Sequence, residues 1–356
     1  MSTKILFLAI SQAHQFLHWL PAALRLAREP GTSVTVASAS PAALDFLRSY
    51  DPHGSLELKR LNYPFAPARD LFHPAPRVPT LLLNVAALGA YPTIVTSETT
   101  SGLLRRVPGF APRLVLIKHG AGDREGSYNR KHRLFDLILV NGDKHRDGLI
   151  ARGLVSPDRC IVTGNAKLEL LRPSPPIFAD GKPLALYNPH FDPALSTWHR
   201  YGPAILDTMA RIPEWNFIVA PHVKTRGGPD APPAAPNLVI DRGSARSIDM
   251  SYTQAADVYI GDVSSQVYEF IVRPRPCIFL NLAGIAWEDD PTYAHWRLGQ
   301  VIESVGELGP ALARAAELQP RFAAAQQRML ARSIDHSQLP ASERQARAIL
   351  DFARAR

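Results

Sequence analysis

The sequence predicts an α/β protein of two doubly wound, Rossmann-like domains facing a central cleft, and three observations carry that expectation. Short apolar segments alternate with helical ones through both halves of the chain. A length of 356 residues suits two domains, each able to bury its own core. Near the middle, Arg172-Pro173-Ser174-Pro175-Pro176 is stiff and irregular, as linkers are. The expected domains are therefore 1–172 and 177–356.

In the first domain, strands are expected at Ile5–Ile10, Ser33–Ser38, Thr93–Thr96, Arg113–Ile117, Leu137–Val140 and Cys160–Thr163. A helix over Gln15–Ala27 and another from Pro41 separate the first strands, and the Pro-rich segment Tyr63–Pro79 reads as a mobile surface loop. The second series has strands at Leu184–Tyr187, Asn216–Ala220, Asn237–Ile240, Asp257–Ile260 and Cys277–Leu280. Ala-rich helices over Leu308–Arg332 and Ala341–Arg356 close the chain.

The run Lys4–Ile10 is too short and lacks the cleavage site of a signal peptide, so it reads as a buried strand. The apolar stretch Thr80–Val95 is interrupted by Asn84, Gly89, Tyr91 and Pro92 and is too short to span a bilayer. Two distant cysteines, Cys160 and Cys277, argue against a disulfide framework or a zinc site and fit a reducing compartment. A net charge of +8 favours an acidic partner. No nucleic-acid motif is present, so nucleic acid is not the expected partner. The mixed basic and apolar segment Leu103–Arg113 points instead to an anionic membrane surface, with a cytoplasmic location and peripheral attachment to the inner face of the cytoplasmic membrane.

In sheets of this class ligands sit beyond the carboxyl ends of the strands, and His119, Gly164, His190, His222 and Ser264 all come just after expected strands. The segment Gly261-Asp262-Val263-Ser264-Ser265 leads from a strand into a helix start, where unpaired N–H groups and two hydroxyls suit a phosphate. Glu269, about a turn past Ser265, would project from the same face to accept from ribose hydroxyls. No GxGxxG loop, GxxxxGK[ST] loop, HExxH helix or GxSxG elbow is present, and no Asp-x-Asp pair follows a strand. No metal or other cofactor is expected. A departing nucleotide would then be stabilised by the Ser264–Ser265 turn, by His222, and by a cation drawn from Lys224, Arg226, Arg242 or Arg246. His119, in the glycine-rich turn Lys118-His119-Gly120-Ala121-Gly122-Asp123-Arg124-Glu125-Gly126, suits a general base, with Gly120 allowing close approach and Asp123 or Glu125 orienting the ring or binding acceptor.

These segments resemble the CDP-glycerol glycerophosphotransferase family. His119-Gly120, Gly164-Asn165-Ala166-Lys167-Leu168-Glu169, Tyr187-Asn188-Pro189-His190-Phe191, Pro221-His222 and Asp257–Ser265 occur in the family's order over about residues 110–285. The resemblance implies a GT-B fold, an acceptor-side domain 1–172 and a nucleotide-donor domain 177–356. It implies His119 as base, His222 near the donor phosphate, and the Ser264–Ser265 turn as the pyrophosphate loop, with Lys167 and His190 in the cleft. The family commonly has Gly-x-Pro-Arg-x-Asp at 164–169 and Pro-Thr-Trp-Arg at 189–192, so donor and acceptor identity do not carry over.

The expected function is transfer of a glycerophosphate, or a related polyol-phosphate or glycosyl unit, from a CDP- or other nucleotide-activated donor to a hydroxyl of a cell-envelope lipid or glycan. Two alternatives stand beside it: a nonhydrolysing UDP-sugar 2-epimerase, with Asp123 and Glu125 shuttling a proton, and a non-catalytic nucleotide-sugar-binding scaffold.

Overall fold

A computed structural model describes residues 2–64, 71–122, 127–171, 175–229 and 233–355. The chain divides into two compact units: the first comprises Met1–His119, Tyr128–Leu170 and Arg332–Arg356, the second Gly120–Ser127 and Leu171–Ala331.

The first unit holds seven parallel strands: β1 Thr3–Leu8, β2 Thr32–Ser38, β3 Glu57–Arg60, β4 Thr93–Thr96, β5 Arg113–Ile117, β6 Leu137–Val140 and β7 Cys160–Val162, in the order β3-β2-β1-β4-β5-β6-β7. Leu6, Leu8, Ile94, Leu114, Leu116 and Ile138 form one core cluster, each at most 1% exposed. Burial on both faces explains why these strands read as unbroken apolar runs. The edge strand β3, Glu-Leu-Lys-Arg, is largely exposed and carries no such run, and the sequence reading omits it. Charged edge strands of this kind discourage pairing with other chains.

The second unit holds six parallel strands: β8 Leu184–Asn188, β9 Asn216–Val219, β10 Leu238–Ile240, β11 Val258–Gly261, β12 Cys277–Leu280 and β13 Gln300–Ile302, in the order β10-β9-β8-β11-β12-β13. Trp198, Ile205 and Leu206 of the helix Trp198–Ala210 pack against Tyr187, Phe217 and Val219 of the sheet. The sequence reading omits β13, which is only three residues long. In both units the strand order reverses beside the first strand, between β1 and β4 and between β8 and β11. Such switch points open a crevice at the carboxyl ends of the strands.

The chain's last residues group with the first unit, whereas the expected boundary counted them with the second half. The helix Ala341–Arg354 packs on the helix Leu20–Arg28. Glu169 accepts from the Ser342 N–H at 2.8 Å, which fixes the helix's start. Arg113 holds its end, stacking 3.5 Å from the Phe352 ring centroid and donating to the Phe352 and Ala355 carbonyls at 2.6 Å. Gly164 has φ +78°, and a Cβ there would lie 2.9 Å from the Asp335 carbonyl oxygen and 3.1 Å from the Ala341 Cβ. The Gly164–Glu169 segment is therefore a dock for this helix as well as a strand-end loop.

The basic segment Leu103–Arg113 is partly engaged, with Arg106, Pro108, Gly109 and Ala111 exposed. Leu104 is buried, Arg105 pairs with Asp136, and Arg113 is held by the Phe352 ring. Among the described residues no helix is long and apolar enough to cross a membrane. The Pro-rich segment expected as a loop gives way at Arg77 to a helix, Arg77–Leu83; residues 65–70 lie outside the described residues.

Candidate functional site

In the second unit, three neighbouring strand ends meet. Asn188 closes β8, His222 comes after β9, and Asp262 to Ser265 come after β11. Asn188 ties all three: its Nδ2 donates to the Ala220 carbonyl at 2.6 Å, and its Oδ1 accepts from Ser264 Oγ at 2.7 Å. Asn188 is missed as a site residue by the sequence reading. A polar residue ending an apolar strand and followed by Pro189 was the available signal.

Asp262 is not available to a ligand phosphate. It is 2% exposed, and its carboxylate accepts from the N–H groups of His190, Thr197 and Val263 at 2.7–2.8 Å and from Thr197 Oγ1 at 3.0 Å. Burial pushes its pKa up, while these donors act against that. Its carbonyl accepts from His295 Nε2 at 2.9 Å and Trp296 Nε1 at 2.8 Å. Asp262 therefore fixes the turn and the segment 190–197, so it is a positioning residue. Ser264 is buried with its hydroxyl donated to Asn188, and Ser265 is exposed ahead of the helix Gln266–Phe270. That helix is one short turn, so its dipole is small and Ser265 carries more of any anion contact. Glu269 is 7% exposed within it.

Gly120 and Gly122 pass close to Ser265. Gly120 has φ +70°, and a Cβ on Gly122 would come within 3.0 Å of Ser265 Cβ. Gly261 completes β11.

His222 has a defined tautomer. Its Nδ1 accepts from the Lys224 N–H at 3.1 Å, so in the neutral ring Nε2 carries the proton and can donate. His190 is built alike, accepting from the Asp192 N–H at 3.0 Å. Phe191 joins them, its ring centroid 4.3 Å from that of His190 and 5.0 Å from that of His222, with Lys224 Nζ 5.0 Å above it. Arg246 does not join this group. It lines a cavity with Leu184 and Asp257, at the amino ends of β8 and β11.

In the first unit, His119 comes after β5 and donates from Nδ1 to the carbonyl of Ser97, just past β4, at 2.7 Å. That bond leaves Nε2 as the basic nitrogen. A backbone carbonyl thus helps to orient the ring; Asp123 and Glu125, expected in that role, lie outside the described residues. The nearby Glu98 is 3% exposed and accepts from the N–H groups of Thr100 and Ser101, so it caps the turn after β4.

Two further histidines, missed in the sequence, stand beside His119. The ring centroids of His14 and His18 each lie 6.2 Å from that of His119. Their i, i+4 spacing just after β1 was a legible signal. His18 Nδ1 donates to Asn165 Oδ1 at 3.0 Å, and its pKa is held well below the usual imidazole range by burial, then by Lys167 and His119. Lys167 is 4% exposed and belongs to this unit. Lys118, also buried, is pushed down to about 8, first by burial and then by Lys144. Among the described residues no group of His, Cys, Asp or Glu is arranged to hold a metal.

No protein-family model and no curated protein matches the chain. Solved structures do. A putative UDP-N-acetylglucosamine 2-epimerase from Listeria monocytogenes shares 11% identity over 99% of this chain and 97% of its own, with a TM-score of 0.67. The UDP-GlcNAc 2-epimerase from Neisseria meningitidis, bound to UDP-GlcNAc, shares 12% over 98% and 100%, with a TM-score of 0.64. The wall teichoic acid polymerase TagF shares 11% over 99% of this chain and 88% of its own, with a TM-score of 0.64. At such identities the likeness establishes the fold, which is GT-B.

Proposed function

We propose that the chain is an enzyme acting on a nucleoside diphosphate-activated substrate, with His119 as general base and the second unit as the nucleotide-binding unit. The observation that carries the chemistry is the bond from His119 Nδ1 to the Ser97 carbonyl, which presents Nε2 as a proton acceptor. Nucleotide binding is supported by the likeness to an epimerase that holds UDP-GlcNAc and by the exposed Ser265 on a rigid turn.

The first reading is group transfer. His119 takes the proton of an acceptor hydroxyl, whose oxygen attacks the activated phosphorus or sugar carbon. The nucleotide leaves with the bonding electrons: CMP from CDP-glycerol, or a nucleoside diphosphate from a nucleotide sugar. His222 Nε2–H and the Ser265 hydroxyl donate to the departing phosphate. The acceptor in this reading is a lipid- or glycan-linked hydroxyl.

The second reading is epimerisation at the sugar, and the comparisons favour it at least as well. Both epimerases are matched over 97% or more of their length, against 88% of TagF. Against it, Glu98, the carboxylate near His119 among the described residues, is consumed as a cap.

A calorimetric panel of CDP, CDP-glycerol, UDP, UDP-GlcNAc and GDP, followed by product analysis in deuterium oxide, separates the readings. Binding of CDP-glycerol with release of CMP to an acceptor supports transfer, whereas deuterium entering the sugar of UDP-GlcNAc supports epimerisation. Failure of every nucleotide to bind would end both.

A further inference from the structure

The second unit has a cavity of about 190 Å³ at the pole of its sheet opposite the strand ends that carry Asn188 and Asp262. Leu184 and Asn216, which open β8 and β9, and Asp257, just before β11, form its floor. The strands between the two poles are four or five residues long, so roughly 13–17 Å separates them. Ile177, Phe178 and Tyr252 make its apolar wall, and Arg246 borders it.

One group at this cavity, Arg246, has unused bonding capacity, whereas the Asn216 oxygen is enclosed. Asn216 is 1% exposed; its Nδ2 donates to Asp180 Oδ1 at 2.6 Å, but its buried Oδ1 has no donor among the described residues. That oxygen is enclosed by protein and is not reached from the cavity. The half-buried Arg246 uses its backbone N–H, but its guanidinium has no hydrogen bond or ion pair among the described residues. The other charges at the wall are engaged. Lys182 pairs with Asp180 at 3.3 Å, and Asp257 Oδ2 accepts from the Leu184 N–H at 2.8 Å. Tyr252 donates to Asp241 Oδ2 at 2.5 Å, which anchors that side of the wall.

From the available guanidinium and the apolar wall around one cavity, we infer a second small-molecule site, for a compact aromatic anion. The volume admits a single ring with its substituents. The inference goes beyond the nucleotide reading and does not depend on it.

The test is ligand-detected NMR on the full chain with 4-hydroxybenzoate and phenyl phosphate, and phenol as the uncharged comparison. Saturable binding of at least one anion is expected, weakened about ten-fold or more in Arg246→Gln through loss of a charge-assisted bond. Phenol should bind more weakly, and Ala255→Trp, at the exposed rim, should block all probes. Neither UDP nor CDP should displace them. No saturable binding by either anion, undiminished binding in Arg246→Gln, or displacement by UDP or CDP would each overturn the inference. The last outcome would move the probe to the nucleotide site. Because the Arg246 guanidinium makes no bond among the described residues, Arg246→Gln is expected to fold with unchanged Tm.

Discussion

At the switch point of the second unit, Asn188, Ser264 and Asp262 spend their hydrogen bonds on one another's loops. At the corresponding end of the first unit, His14, His18 and His119 crowd together beside a buried lysine, Lys167. Both sheets reverse their order beside the first strand, so the contrast lies in the loops that leave the strands. A satisfied polar network is rigid and suits holding a ligand. An imidazole buried near cations resists protonation, so His18 stays neutral beside His119. The contrast underlies the proposal that nucleotide binding and proton removal fall to different units.

Loss of the base is the strongest challenge to this division. His119→Ala is expected to lower kcat by about 10²–10⁴ while leaving nucleotide affinity within about two-fold. A parallel fall in affinity, measured by calorimetry, would mean that His119 binds nucleotide and that the two units do not divide the work.

The next largest effect should come from Asp262. Asp262→Ala strands four buried donors and is expected to destabilise the chain by about 3–5 kcal/mol, read from chemical denaturation. A normal stability with lost nucleotide affinity would restore Asp262 as a ligand contact. Ser265→Ala sharpens the same point, since it should weaken nucleotide binding without changing stability.

The first unit's neutral imidazoles make a pH prediction. Burial pushes His132 down to about 4 and lowers His18 as well. The unfolded chain, with imidazoles near 6.5, therefore binds more protons below that pH, so stability is complete above about 6.5 and falls as pH drops. The His132 share levels off near 4 and amounts to at most about 3 kcal/mol. His132→Phe should flatten denaturation free energy between about pH 6.5 and 4. An unchanged slope would show that the ring is protonated in the folded chain.

Much of this architecture was legible because parallel strands buried on both faces spell themselves out as apolar runs. Thr93–Thr96, Arg113–Ile117, Leu137–Val140 and Cys277–Leu280 are found where the sequence puts them. The edge strands β3 and β13 were not: β3 is largely exposed and needs no such run, and β13 is only three residues long. His119, His222 and Ser265 could be picked out as polar residues coming after strands. What Asp262 and Arg246 do could not, because a carboxylate that binds a ligand and one that ties loops look alike until its donors are seen. Likewise, Arg246 comes after β10 in sequence, yet its side chain lines the cavity at the amino ends of β8 and β11. Packing of Ala341–Arg354 on the first unit depends on Arg113, Glu169 and Gly164, residues far from it in sequence.

The smallest expected effect tests the network that distinguishes the second unit. Asn188→Ala removes both the bond to Ala220 and the acceptor of the Ser264 hydroxyl, while leaving Asp262 and its donors in place. The cost should be about 1–2 kcal/mol in stability, as for one buried side chain making two ordinary hydrogen bonds and a long third one from the Tyr259 hydroxyl at 3.5 Å. Nucleotide affinity should fall by about three- to ten-fold, because a Ser264–Ser265 turn no longer held to β8 must be ordered at the moment of binding. Asn188→Asp separates the two contributions. It keeps an acceptor for Ser264 but loses the donor to Ala220 and brings a buried charge to the turn. If Asn188→Asp keeps affinity and Asn188→Ala does not, anchoring of the turn is what matters. If neither loses affinity, the rigidity of this end of the sheet has no part in binding, and the contrast between the units reduces to the histidines alone.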